Sequence, residues 1–200
     1  MLISALHGLL TGAGLIIAIG AQNAFVLGQG LRREHPWVVA AICALCDWLL
    51  IGLGVLGLGR LIASQEGVML VARLGGAAFL LWQAWLALRR VFQGDVLAAG
   101  AGLQGSRRRV ILATLAVTLL NPQVYLDTLI MLGAIGAAQT SPLGFYLGAA
   151  VASFGWFFGL VAAASWLAPR LASPLVWRII DGLIAMVLTA VALGLLAGIE

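Results

Sequence analysis

From Val110 to Pro169 the chain carries a single charged residue, Asp127. No other feature limits the fold as much, because so long an apolar stretch exceeds what a small core can bury and belongs in lipid. There the backbone must satisfy its own hydrogen bonds, so the stretch is predicted to be helical. Within it, Asn121-Pro122-Gln123-Val124-Tyr125-Leu126-Asp127 sets a helix breaker among polar side chains. The proline removes one backbone donor and frees a carbonyl a turn earlier, while Asn121, Gln123, Tyr125 and Asp127 bring hydrogen-bonding groups of their own. A carboxylate at the centre of a membrane helix costs roughly 2.5–3.5 kcal/mol on insertion scales. Such a residue is expected to face a cavity, a partner or a substrate, and we read the segment as half of a transport site.

Composition agrees with a lipid solvent. The chain is 63% hydrophobic and 9% charged, against roughly 45–50% and 25% for soluble domains. Its 200 residues fit about six spans of roughly 20 residues with short connections. A single transmembrane domain over residues 1–200 is therefore expected, with no separate soluble domain. The net charge of +4 comes from eleven basic residues, all arginine. Arginines in short loops beside an anionic leaflet account for it better than nucleic-acid binding does. Residues 1–31 contain no Arg or Lys, so the basic start of a secretory signal is missing and this stretch is expected to be the first span.

In chain order, span one covers about residues 3–27 and holds a polar break, Gly20-Ala21-Gln22-Asn23. Span two, about 37–58, holds Asp47 as its only charge, and span three, about 67–88, only Arg73. Residues 89–109 form the longest polar connection, with glycines, Gln93, Asp95 and Gln104 in no helical or strand pattern. Spans four, five and six cover about 110–137, 143–167 and 176–199. The connections after spans one, three and five, with the first turn of span six, contain Arg32, Arg33, Arg89, Arg90, Arg107, Arg108, Arg109, Arg170 and Arg178, against Arg60 and Arg73 toward the other side. By the positive-inside rule the arginine-rich side is cytoplasmic and both termini are periplasmic.

Each half of the chain, about 1–92 and 110–200, would contain three spans. Because three is odd, the halves would be oppositely oriented. The polar breaks fall in the first span of each half, one hundred residues apart: Asn23-Ala24-Phe25 aligns with Gln123-Val124-Tyr125. Broken helices at matching positions of inverted repeats are how many transporters build a site at the membrane midplane. The expected fold is thus an all-α membrane protein of six transmembrane helices, two inverted three-helix repeats with helices one and four broken. Two small-residue stripes in span five, Gly144/Gly148/Ala152 and Gly155/Gly159/Ala163, would allow close packing against a neighbour.

Asp47 and Asp127 both fall near mid-membrane. They could cap a kink or pair with a buried arginine, but Arg73 is the only in-span cation available and lies near enough to an end to snorkel. A transport role is the better expectation for both. Gln22, Asn23, Asn121 and Gln123 either line the site or satisfy backbone freed by the breaks. Cys43 and Cys46, with Asp47 beside them, read as apolar filler or as a thiol-redox or soft-metal motif, although no second Cys or His group would complete a metal site. His7 and His35 are solitary. Of the seven tryptophans only Trp156, near the middle of span five, is a plausible pocket wall. No phosphate loop, zincin helix or nucleophile elbow occurs, so the chain is not expected to be an enzyme or to need a cofactor, and transport would draw on an ion gradient or the membrane potential.

These residues carry a family resemblance. Gly20-Ala21-Gln22-Asn23-Ala24-Phe25-Val26-Leu27, Cys46-Asp47 and Leu120-Asn121-Pro122-Gln123-Val124-Tyr125-Leu126-Asp127-Thr128 resemble the signatures of the LysE family of bacterial amino-acid exporters. The similarity covers the whole chain and is strongest to the lysine/arginine branch, with no departure at these positions. It implies export of L-arginine or L-lysine across the bacterial inner membrane. The residues agree on substrate sign independently: two carboxylates in a low dielectric can balance an ammonium or guanidinium, and the positive ends of broken helices can receive an α-carboxylate. Moving a positive charge out of a negative interior costs about 2.3 kcal/mol per 100 mV, so a returning cation is needed. The proton is the natural counter-ion, carried by an aspartate. The sequence leaves open arginine against lysine, the stoichiometry and the oligomeric state, a homo-oligomer included. A thiol-redox protein or soft-metal exporter using Cys43 and Cys46 is the alternative.

Overall fold

The structure, a computed structural model, describes residues 1–17, 20–57, 66–93, 106–171 and 173–197. All regular structure among them is helical: α1 (Leu2–Ile16), α2 (Ala21–Arg32), α3 (Pro36–Val55), α4 (Glu66–Gln93), α5 (Arg107–Leu119), α6 (Pro122–Ala137), α7 (Pro142–Leu167) and α8 (Pro174–Ala197). The chain is an all-α membrane protein. Three helical segments, Pro36–Val55, Pro142–Arg170 and Leu175–Ala197, are long and apolar enough to cross a bilayer. The bent pairs α1–α2 and α5–α6 bring the number to five if each is one broken span. α4 is not counted with them; its 28 residues include Glu66, Arg73, Arg89 and Arg90. It nevertheless shows Leu74 and Trp85 on its outer surface, as a lipid-facing helix does.

Both expected breaks are present. α1 and α2 meet at 81° across residues that include the undescribed 18–19, and α5 and α6 meet at 61°. Local chemistry explains where the second halves start. Asn121 is the N-cap of α6, its side-chain oxygen accepting from the backbone N–H of Gln123 at 3.1 Å, and Pro122 is the first helical residue, where a missing N–H leaves nothing unsatisfied. Ser141 and Pro142 start α7 in the same way, with Gly144 N–H donating to the Ser141 hydroxyl at 3.3 Å. Pro122 therefore begins a helix rather than interrupting one from within. Beyond it, Tyr125–Leu132 is wound as a π-helix, a feature with no counterpart in the sequence reading.

Lipid tails are as apolar as leucine, so close backbone approach, not exclusion from water, must hold these helices together. α1 and α7 run parallel and in contact: a Cβ on Gly8 would lie 2.0 Å from the Phe145 carbonyl oxygen, and one on Gly148 would lie 1.9 Å from that of Ala5. α3 and α6 meet similarly, with the Cβ position of Gly54 2.2 Å from Leu129 O. The Gly144/Gly148/Ala152 stripe thus packs on α1 as expected. Its companion does not find a partner: Gly155 and Gly159 have nothing within 4 Å among the described residues. The connection read as residues 89–109 is shorter than expected, because α4 continues to Gln93 and α5 begins at Arg107. Residues 94–105, with Asp95 and Gln104, lie outside the described residues, as does Arg60.

Candidate transport site

At each break, a polar side chain of the second helix ties back to a carbonyl left over at the end of the first. Asn23 Nδ2 donates to Ile16 O at 2.8 Å, and the Tyr125 hydroxyl donates to Leu119 O at 2.8 Å. Both side chains therefore do what backbone freed in lipid requires, and a neighbouring amide joins the two breaks into one structure. Gln22 Nε2 donates to Thr118 Oγ1 at 3.2 Å, linking the start of α2 to the end of α5. Gly20 sits so close to Gln123 that a Cβ on it would lie 3.5 Å from Oε1. Trp156, the expected pocket wall, donates its indole N–H to Asn23 Oδ1 at 3.1 Å.

Between the breaks lies a cavity of about 40 Å³, enough for a few waters. Gln22 and Asn23 from α2, Asp47 from α3, and Asn121, Gln123 and Asp127 around the second break all line it. Pro122 and Tyr125 are not in its wall, but both shape the turn that forms it. Asp47 is 1% exposed. Its Oδ2 accepts from Ser153 Oγ at 2.8 Å, whereas Oδ1 is buried without a protein partner. Asp127 is half-buried in the π-helical segment and lines the same cavity as Asp47 and Gln123. An unpaired carboxylate oxygen out of water is costly. A cation or proton donor arriving in the cavity would relieve that cost.

The structural ion pair lies elsewhere. Asp181 on α8 accepts from Arg32 of α2 and, at 3.2 Å, from Nε of Arg90 of α4. The sequence reading passed over Asp181, and the only signal for it, Arg178 three residues earlier, points to an ordinary helix-surface pair. It also missed Ser153 and Thr118, since hydroxyls within membrane helices commonly just bond their own backbone. The side chain of Arg73 lies outside the described residues. Cys43 is wholly buried, 3.8 Å from Thr118 Oγ1, and Cys46 is half-buried; both thiols are free. Among the described residues no three His, Cys, Asp or Glu side chains gather as a metal site would need. A thiol or soft-metal reading has little to stand on.

The fold and this cavity define a multi-pass membrane protein with two broken helices converging on a carboxylate-lined site. The chain belongs to the LysE type translocator family, whose match covers residues 13–198. It is 45% identical over 194 residues, 95% of each chain, to a protein of Pectobacterium carotovorum subsp. carotovorum (strain PC1) named arginine exporter protein ArgO. Proteins of the same name from Serratia proteamaculans (strain 568) and Klebsiella pneumoniae (strain 342) are each 42% identical, over 98% and 93% of this chain and 97% and 90% of their own. No solved structure matches the chain.

Proposed function

We propose that this protein exports L-arginine from the cytoplasm across the bacterial inner membrane, accepts L-lysine at the same site, and is driven by inward return of a proton. The observation that carries the reading is the convergence of Asp47, Asp127 and both helix breaks on one cavity. Asp47 Oδ1 and Asp127 receive the guanidinium or ammonium, while the side-chain amides of Asn121 and Gln123, at the positive dipole end of α6, receive the α-carboxylate. After release outside, an aspartate takes up a proton and carries it in, which offsets the charge moved against the potential. The relatives named as arginine exporters support arginine over other amino acids. A translocator reading leaves no enzymatic step for these residues to perform.

Two inverted repeats are supported by the matching tie-backs Asn23 to Ile16 and Tyr125 to Leu119, and α4 would then make the sixth crossing. A cavity of 40 Å³ is too small for an amino acid, so the site must widen in the transport cycle, as alternating access requires. The test is counterflow of radiolabelled arginine and lysine in proteoliposomes, with a pH-sensitive dye inside. Arginine-dependent proton flux is expected. Arginine uptake with no proton movement would overturn the antiport, and no arginine exchange would overturn the function.

A further inference from the structure

At the arginine-rich end of the bundle a second cavity, of about 740 Å³, opens between α2, α4, α5 and α8. It reaches as deep as Ala24 and Phe25 on α2, the residues next to Asn23 in the wall of the small cavity. We propose that this vestibule is a carboxylate-receiving site, in which Arg108 and Arg109 bind the α-carboxylate of an incoming amino acid before its side chain advances to Asp47 and Asp127. The proposal rests on the export reading above and adds a step and a selectivity to it.

Charge carries the argument. Four arginines line the vestibule, Arg32, Arg90, Arg108 and Arg109, against one acid, Glu34. Arg32 and Arg90 are both engaged by Asp181. Arg108 and Arg109 have no ion-pair partner among the described residues, and they project from the first turn of α5, which holds no acidic residue. The free N–H groups and the positive dipole end of that helix add to the field. Orientation of the chain in the membrane explains why arginines lie on this side, but it does not require two of them to open into a cavity from which neighbouring Arg107 is absent. Such a field repels a guanidinium and attracts a carboxylate. A cationic amino acid is therefore held by its carboxylate end, and a cation without a carboxylate is turned away. Gln29, whose Oε1 is buried without a partner, and Gln83 lie in the same wall and can bond the α-amino group.

The test places a thiol in the vestibule by Leu86→Cys, with Cys43 and Cys46 replaced by serine, and follows its maleimide labelling in nanodiscs, where both faces are open and inversion of the chain is immaterial. L-Arginine and glycine at millimolar concentration should slow labelling several-fold, and agmatine, which lacks the carboxylate, should not. Protection should persist with Asp47→Asn and Asp127→Asn, vanish with Arg108→Gln plus Arg109→Gln, and survive in part with lysine at both positions. Equal protection by agmatine, or protection unchanged by the double glutamine variant, would overturn the site. Nanodiscs of phosphatidylcholine alone and with phosphatidylglycerol separate the two sources of anion. If only the anionic lipid slows labelling and arginine adds nothing, a headgroup occupies the vestibule and the proposal fails. Arginine counterflow by the unmodified protein keeps the two readings apart: exchange without protection sinks the vestibule site alone, and absence of exchange sinks the exporter.

Discussion

Asp47 and Asp181 are both buried acids in an apolar bundle, yet their surroundings give them opposite consequences on mutation. Asp181 holds two partly buried guanidinium groups, so Asp181→Asn would leave two cations short of a partner, a loss of about 3–5 kcal/mol for a broken buried pair. We predict sharply reduced protein in the membrane, read by immunoblot. Asp47 touches no arginine among the described residues, only the Ser153 hydroxyl. Asp47→Asn and Asp127→Asn should therefore keep near-normal protein levels and lose arginine export by at least about tenfold, the factor given by 1.4 kcal/mol of lost binding. Glutamate at either position keeps the charge one methylene out of place and should retain a fraction of the activity. Full export by both asparagine variants would remove the carboxylates from the mechanism. Asp47 and Asp127 were legible in the sequence because a lone acid in an apolar run has no cheap structural explanation. Asp181 was not, because Arg178 close by supplied one, and its real partners come from helices far away in sequence.

At the scale of the helix, the polar breaks could be read from Asn121-Pro122 and Gly20-Ala21-Gln22-Asn23 because caps and turns have short-range chemistry. The π-helical turn that carries Asp127 could not. Pro122 and Gly133 bracket it without specifying π over α winding, and it lies where α6 meets α3 at Gly54 and Gly133, whose backbones approach too closely for any side chain. The same dependence on a neighbour explains why one glycine stripe of α7 packs and the other does not: spacing marks a face as smooth without saying what lies against it. Two substitutions follow. Gly148→Leu would drive a side chain into the Ala5 carbonyl, overpacking that costs about 1–3 kcal/mol or more, so the melting temperature in detergent should fall. Gly159→Leu meets nothing and should leave it unchanged. Pro122→Ala restores an N–H at a position that needs none, so insertion should be normal. Its effect is expected on turnover, because the added freedom loosens the hinge between α5 and α6. Wild-type export by this variant would make the proline a mere helix start.

Among the described residues, a vestibule marks one end of the bundle and bonds between elements mark the other. The 740 Å³ vestibule lies at the arginine-rich end, while at the opposite end α1 is tied to the α6–α7 turn by Ser4 with Thr140 and His7 with Gln139, each at 3.3 Å. By the positive-inside rule the vestibule is expected to face the cytoplasm. The chain path bears on the termini as well. Met1 lies against Gly144 at the start of α7, far along the bundle from Arg33 and Ser165 near that helix's end, which bond at 2.8 Å. α8 leaves the arginine-rich end at Asp181 and runs to Ala197, so both termini are expected on the side away from the arginines, which the positive-inside rule would make periplasmic. A periplasm-active reporter fused to the C-terminus should be active, and one inserted between Gln93 and Ser106 should be silent. A well-expressed but silent C-terminal fusion would sink the orientation. An N-terminal fusion with its own export signal sharpens the test, because activity at one terminus and silence at the other would mean an odd number of crossings. α4, with Arg73 inside it and charged residues at its ends, would then be the helix that does not cross.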